Sequence, residues 1–489
     1  MRAERSVNDL QPIRLSSGGV VVLGAGACGL TAAWYLAKNG IEVDVIEVEP
    51  EVGGHASTIK IGPELYADLA PHAFHIKKSE VTSLVEELMG PALRRIRSDT
   101  QMRINGKNFD FPLNVPNLLS GMNPFISTRI VFDYLTANLK SKFFDVPERS
   151  FADWCTKRFG KKLSDLCFLN YTKKVWGRNP SELSSALAKQ KLVKLNLKDL
   201  FVKLIGFGGQ EQPVYFREFY YPEQGIGQLW TTLANDIKRQ GGRIHLEFRA
   251  AHVEPKEGRV TALHVRNDTM KNLLDRSWIV STVPITALVE MLRPLVPPTV
   301  QTAANKLRFR SLILLYVVIR KERVLKPQWI YFLDNEFTFN RVSDQKAMSE
   351  KMLPLGRTVL CMEKNCDFND NVWNTAPEEH FAKAMEELEQ AKLISRDEVD
   401  GYNIAKIRNA YPVFDLEFQN NLSTVMQYFA GVENLLTVGR PGLYLNNDMH
   451  DSMEMGLMAA RYVLDCIGRD KTSGRWYEQI STYKDAKEW

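Results

Sequence analysis

No stretch of this 489-residue chain is apolar enough to cross a bilayer: the longest uninterrupted run, Leu312 to Ile319, has eight residues, where a spanning helix needs about 20. Cysteine is scarce and scattered. Of the six, only Cys361 and Cys366 lie close together, with no second pair to complete a metal site or a disulfide framework, so reduced thiols and no bound metal are expected. An excess of one charge is also missing. The net charge of +5 is spread over interspersed signs, which demands no nucleic-acid partner and predicts a mild preference for anionic ligands. The opening MRAERSVNDLQPIRLSS is charged and lacks the apolar segment of a secretory leader, so a cytoplasmic location is expected. Internal repeats, low-complexity tracts and linkers are absent too, which argues against solenoid and disordered classes.

What remains is ordinary globular composition, 44% apolar and 25% charged, in a chain long enough for two or three packed modules. From Gly19 the pattern reads as a buried strand (Val20 to Leu23), a glycine turn, a helix (about Leu30 to Lys38) and a second strand (Glu42 to Glu47). That is a βαβ unit. Residues 81–220 are richer in helical periodicity. Strand character returns in RIHLEFRAAHVEPKEGRVTALHV, turning at Lys256-Glu257-Gly258, and a strand-like LRFRSLILLYVVI and a helical AMEELEQAKL follow before LLTVGRPG. The expected fold class is α/β, a Rossmann-type domain with inserted helical and mixed substrate domains. The domain is expected over 19–80, 221–300 and 430–470, a mainly helical insertion over 81–220, a substrate-binding sheet domain over 301–429, and peripheral tails at 1–18 and 471–489.

Gly24, Gly26 and Gly29 in VVVLGAGACGL satisfy G-x-G-x-x-G between a strand and a helix, and Glu47 ends the next strand 23 residues after Gly24. The three glycines do different things. Gly24 permits the tight turn, Gly26 lets backbone approach a pyrophosphate, and Gly29 lets helix and strand pack closely, while Glu47 accepts ribose hydroxyls. The helix N-terminus offers N–H groups to the anion. The pattern predicts a dinucleotide, and with the second glycine pair Gly53-Gly54 the chain resembles the flavoproteins that include amine oxidases, protoporphyrinogen oxidase and UDP-galactopyranose mutase. The resemblance implies non-covalent FAD.

Along most of its length, from about 19 to 465, the sequence is most similar to the mutases. DLAPHAFH resembles their flavin-facing segment, which implies that Pro71, His72 and His75 lie near the isoalloxazine; a loop histidine bonded to backbone is the plainer reading of His72. YTKKVWG resembles the block framing the uridine side, which implies Tyr171 and Trp176 as base contacts, since aromatic faces suit a flat base. AAHVEPKEGRV resembles the strand that meets the adenine near Val253. LRFRSL and FTFNRV resemble the segments presenting arginines, which implies Arg310 and Arg341 on a diphosphate; surface ion pairs are the alternative. NAYPVFD supplies Tyr411, and LLTVGRPGLYLNNDMHDSMEMG resembles the closing flavin segment with Gly439 and Arg440 beside the cofactor and Tyr444 and Asn446 toward the substrate.

The resemblance implies isomerisation of a nucleotide-sugar ring by reduced flavin, with NAD(P)H or an external reductase as the reductant; a homo-oligomer is compatible with it. The match breaks at Val175, where bacterial mutases have glutamine, and at Leu445 and Asn446, in place of an Arg-Tyr pair. These positions line the sugar and diphosphate side. The alternatives are an oxidoreductase of the amine-oxidase type, acting on a C–N or C–O centre, and a flavin-binding protein without catalysis. The lysine-rich 186–209 reads as a solvated helix edge or a basic amphipathic face, with Gly206, Gly208 and Gly209 suited to a hinge.

Overall fold

Val20–Leu23 is apolar at every position and buried on both faces, the pattern of a central parallel strand. In the computed structural model, which describes residues 19–113, 115–144, 146–192, 217–265, 269–272, 278–293, 295–467 and 474–486, this strand is the middle of a five-stranded sheet. The order across it is Arg243–His245, Val43–Ile46, Val20–Leu23, Trp278–Ser281 and Leu435–Thr437, every pairing parallel. The sheet belongs to the first of two compact units, which collects the described residues of Met1–Gly54, Trp230–Asn305 and Leu422–Thr482. Helix Ala27–Lys38 follows the first strand, and helix Met449–Cys466 packs on it. The two approach closely because Gly456 has no side chain: a Cβ there would lie 2.4 Å from the Cys28 carbonyl oxygen. The hairpin expected at 256–258 is present between Ala250–Lys256 and Arg259–Val265.

The second unit collects the described residues of His55–Leu229, Lys306–Asn421 and Tyr483–Trp489. Its seven-stranded sheet runs Val399–Pro412, Phe309–Ile319, Thr358–Cys366, Arg341–Asp344, Trp329–Phe332, Thr100–Ile104, Lys107–Phe111. Helix Pro377–Gln390 lays Ala384, Met385 and Leu388 onto the apolar face formed by residues such as Leu315, Val317 and Leu360.

Three features differ from the expected domain plan. The boundary near residue 80 falls at Gly54, and 81–220 belongs with 306–421 to one unit. The physical reason is pairing: Thr100–Ile104 and Lys107–Phe111, inside the stretch expected to be mainly helical, join the large sheet through parallel contact with Trp329–Phe332. Their signal lies in the sequence, because Thr100, Met102 and Ile104 alternate buried with less buried neighbours, and Asn105-Gly106, both at positive φ, form the two-residue hairpin turn such pairs favour. Third, 471–489 is not wholly peripheral. Trp476 is fully buried and its indole N–H donates to the Thr437 carbonyl at 3.1 Å, so this helix closes the end strand of the parallel sheet. Among the described residues no helix is long and apolar enough to cross a membrane.

Candidate active site

In the first unit three glycine groups meet around one turn. Gly24 sits at φ +101°, and a Cβ there would lie 2.3 Å from Thr282 Oγ1, the hydroxyl that donates to the Leu23 carbonyl. At Gly29 a Cβ would overlap the Gly24 carbonyl oxygen at 2.0 Å. Both glycines are therefore required by the protein itself. Gly26 is different: its φ of −79° suits any residue, and a Cβ would meet only the Gly54 Cα at 4.0 Å. Nothing in the fold explains that glycine, and the space it leaves at the start of helix Ala27–Lys38 is the cradle a pyrophosphate needs. Gly53 pairs with Gly26 in a short parallel bridge and donates its N–H to the Ala25 carbonyl at 2.8 Å, so the second glycine pair is packed on the first turn. Gly439, at φ +79°, lies against Cys28 on the same helix.

Glu47 closes this arrangement. Its carboxylate accepts the Ala25 N–H at 2.6 Å and the Glu49 N–H at 2.9 Å, so it braces the glycine turn while keeping lone pairs for a ribose. Burial raises its carboxyl above the ordinary range, and the amide donors oppose the rise. Val253 lies buried in its hairpin. Arg440 donates from Nη2 to Asn446 Oδ1 at 3.1 Å, while the Asn446 Nδ2, buried, has no partner among the described residues. Tyr444 is buried at φ +55°, a left-handed conformation costly for a bulky residue. His450, Asp451 and Glu454 cluster at the start of helix Met449–Cys466, where Asp448 is the N-cap and Asp451 accepts its N–H to complete a capping box.

The second unit assembles the arginine and aromatic residues. Arg310 and Tyr411 are direct partners across two strands, and the Tyr411 ring lies 6.4 Å from that of Trp176. Arg310, 4% exposed, donates from Nε to the Val175 carbonyl at 3.0 Å and from Nη1 to Asp367. The glycine of YTKKVWG makes this approach feasible: Gly177 ends its helix at φ +61°, and a Cβ would be 2.8 Å from Arg310 Nη1. Burial pushes the Asp367 carboxyl up, but the guanidiniums of Arg310 and Arg178 outweigh it and hold it below the usual value.

Arg341 lies directly across from Glu363 and grips it as a fork, Nε to Oε1 and Nη2 to Oε2, the latter at 2.9 Å. Glu363 is 1% exposed. Burial works against the Arg341 charge and the carboxylate more than restores it. The guanidinium lies 5.6 Å from the Tyr331 ring, and Tyr331 meets Tyr171 edge-on at 6.0 Å. Burial raises the Tyr171 hydroxyl far above its ordinary value, so it stays a phenol. Neither arginine is a surface ion pair. Both are compensated by buried or half-buried carboxylates and leave Arg310 Nη2 and Arg341 Nη1 unengaged among the described residues.

Also in this unit, His72 Nδ1 bonds the Ala70 carbonyl at 2.9 Å, the backbone contact of the plainer reading. Sequence reasoning missed Glu363, Asp367, Tyr331, Lys174 and Asp68. Lys174, within YTKKVWG itself, donates to the carbonyls of Phe332 at 2.9 Å and Asp334 at 2.6 Å, fastening that helix to the loop before Arg341; burial lowers its pKa to about 8. Of the lysine-rich 186–209, Lys189 is exposed, and Lys194, Lys198, Lys203 and the three hinge glycines lie outside the described residues.

Residues 27–463 match the model of the flavin-containing amine oxidoreductases. The chain belongs to that family. It is 27% identical over 192 residues to a probable UDP-galactopyranose mutase of Klebsiella pneumoniae, covering 38% of this chain and 48% of that one. It is 24% identical over 226 residues to a dTDP-fucopyranose mutase of Escherichia coli, covering 44% and 54%. The chain thus spans about half the length of these relatives. Among solved structures, reduced UDP-galactopyranose mutase superposes with a TM-score of 0.80 at 16% identity over 93% of this chain and 98% of that one, which establishes a shared fold. The family's flavin fits the residues present: the open space at Gly26, the helix N-terminus behind it and the carboxylate of Glu47 beside it suit a dinucleotide.

Proposed function

We propose that this family member is an FAD-dependent enzyme that isomerises the ring of a nucleotide-activated sugar. One observation carries the reading: the buried guanidinium of Arg310 and the partly buried one of Arg341, each with a donor to spare, lie among tyrosine and tryptophan rings in the second unit. Forked donors suit a diphosphate and flat rings suit a base. The relatives above are named for UDP and dTDP sugars, which share a diphosphate and differ in nucleoside and sugar.

FAD, when bound and kept reduced by NAD(P)H or an external reductase, would supply an electron-rich ring nitrogen as the nucleophile for such a reaction. The chain's own residues do the rest. Gly26, Gly53 and Gly54 would admit the pyrophosphate, Glu47 would take the ribose, Val253 would serve the adenine, and Gly439 and Arg440 would border the flavin. Arg310 and Arg341 hold the diphosphate as its bond to the sugar breaks and keep it for return. Tyr171 and Trp176 stack the base, Tyr411 borders Arg310, and the His72 imidazole serves the flavin-facing side. Tyr444 and the spare Nδ2 of Asn446 serve the substrate.

The sugar differs from galactopyranose, because Leu445, buried, and Asn446 stand where the resembling mutases carry a guanidinium and a phenol, and lost hydrogen bonds shift preference by orders of magnitude. A panel of nucleotide sugars incubated with dithionite-reduced protein tests this. Turnover is expected only with reduced protein, with UDP bound but UDP-galactopyranose converted poorly beside the best substrate. Equal conversion of UDP-galactopyranose would refute the sugar assignment. Bleaching of oxidised flavin by an amine or alcohol, with no nucleotide sugar converted, would replace the isomerase with an oxidoreductase.

A further inference from the structure

Helix Pro124–Phe143, in the second unit, wears its apolar residues on the outside. Phe125, Phe132, Leu135, Leu139 and Phe143 are each more than half exposed, and their spacing places them within one arc of about 80°. The inward side buries one apolar residue, Ile130, beside a carboxylate. Buried Asp133 accepts the Lys162 N–H at 3.0 Å and pairs with Arg129 at 2.8 Å. A surface helix ordinarily turns its apolar stripe to the core, whereas here five large apolar residues face outward. Phe144, next along the chain, is exposed as well, so the stripe continues past the helix end. A contiguous apolar strip of this kind marks a surface that is covered when the protein works.

The strip has a cationic border. Lys140 flanks it on one side and Lys142 on the other, both exposed, while Arg129 is balanced by Asp133, the acidic residue of the helix. A second copy of the chain, meeting this face across a two-fold axis, would set these cations against their own copies, an unfavourable juxtaposition. Anionic headgroups above a hydrocarbon boundary suit both features together. A 20-residue helix is about 30 Å long and can lie in the plane of that boundary with its aromatic and leucine side chains immersed.

We infer that the face of helix Pro124–Phe143 bearing Phe125, Phe132, Leu139 and Phe143 binds the surface of a membrane containing anionic phospholipid, the protein lying on the bilayer without crossing it. This surface role does not depend on the chemistry of the active site. Flotation of the full-length, flavin-containing protein with large unilamellar vesicles tests it. Phosphatidylcholine vesicles with about 30% phosphatidylserine are expected to carry the protein, pure phosphatidylcholine to carry it less, and salt to weaken the binding. The triple substitution Phe125→Ser, Phe132→Ser, Leu139→Ser should lower partitioning by about tenfold or more, with flavin content and melting temperature unchanged. Lys140→Glu with Lys142→Glu should lower it by a similar factor on the charged vesicles only, and decides the matter alone if the triple variant loses flavin. The inference fails if the parent does not float with charged vesicles, if neither variant changes flotation, or if light scattering shows a dimer that the triple substitution dissociates while no lipid is bound.

Discussion

Gly26 and Gly29 sit three residues apart in the same motif and are glycine for different reasons. At Gly29 the fold itself forbids a side chain, because a Cβ would overlap the Gly24 carbonyl. Gly29→Ala should therefore destabilise the first unit by about 1 to 3 kcal/mol or more. At Gly26 the backbone conformation is ordinary and the space is open. Gly26→Ala should leave the unfolding midpoint of flavin-stripped protein within about 1 kcal/mol of the parent while weakening flavin affinity about tenfold or more. Titration of stripped protein with FAD, alongside thermal unfolding, separates the two. Equal flavin affinity in parent and Gly26→Ala would mean the cradle is not where the pyrophosphate lies.

At the scale of elements, the Arg341–Glu363 pair links neighbouring strands inside a seven-stranded sheet, so loss of Arg341 has two consequences. Removing the guanidinium strands a buried carboxylate, which costs about 3 to 5 kcal/mol of stability, and, under the proposed function, it also removes a donor for the nucleotide. The double variant Arg341→Ala, Glu363→Gln distinguishes them. Stability should largely return because the buried charge is gone, whereas UDP binding, measured by calorimetry, should stay about 2 to 5 kcal/mol weaker than in the parent. Recovery of both together would show that Arg341 is structural. The element level is also where sequence reading was least complete. Arg310 and Arg341 stand out in LRFRSL and FTFNRV, but their carboxylate partners lie 57 and 22 residues further along. Nothing local marks Glu363 or Asp367, because a strand's neighbours across a sheet are set by register and not by sequence distance.

At the scale of the whole second unit, Asp68 ties together remote parts of the chain. Its carboxylate accepts from Thr58 Oγ1 at 2.6 Å, from the Tyr221 hydroxyl and from the Ile226 N–H, while its backbone N–H donates to Gln345 and its carbonyl accepts from Tyr316. Burial raises its pKa to about 6 despite the hydrogen bonds that oppose the rise. A carboxyl held higher in the folded than in the unfolded state binds its proton more tightly when folded. The stability this adds is complete below the unfolded value near 3.9 and is lost as pH rises through about 6. Asp68→Asn should therefore flatten the stability profile between about pH 4 and pH 6.5, removing a slope worth on the order of 1 to 3 kcal/mol. Parallel profiles for parent and variant would show that Asp68 does not titrate in this range.

The sequence alone determined the parts of this protein whose requirements are local. A strand, a glycine turn and a helix over Val20 to Lys38 are dictated by neighbouring residues, and the cofactor class follows from the same stretch because backbone groups a few positions apart suit a pyrophosphate. The return of the chain to the parallel sheet at Leu435–Thr437 was legible too, from its apolar run and the glycines after it. Tertiary structure decided what depends on distant partners: that Thr100–Phe111 completes the large sheet, that Trp476 closes the small one, that both arginines are held by carboxylates, and that helix Pro124–Phe143 turns Phe and Leu outward. The sequence of that helix shows a mixture of apolar and polar residues at helical spacing. Which stripe faces the protein was settled by where Asp133 found the Lys162 amide, because a buried carboxylate must have its donors while an exposed phenylalanine can wait for a partner.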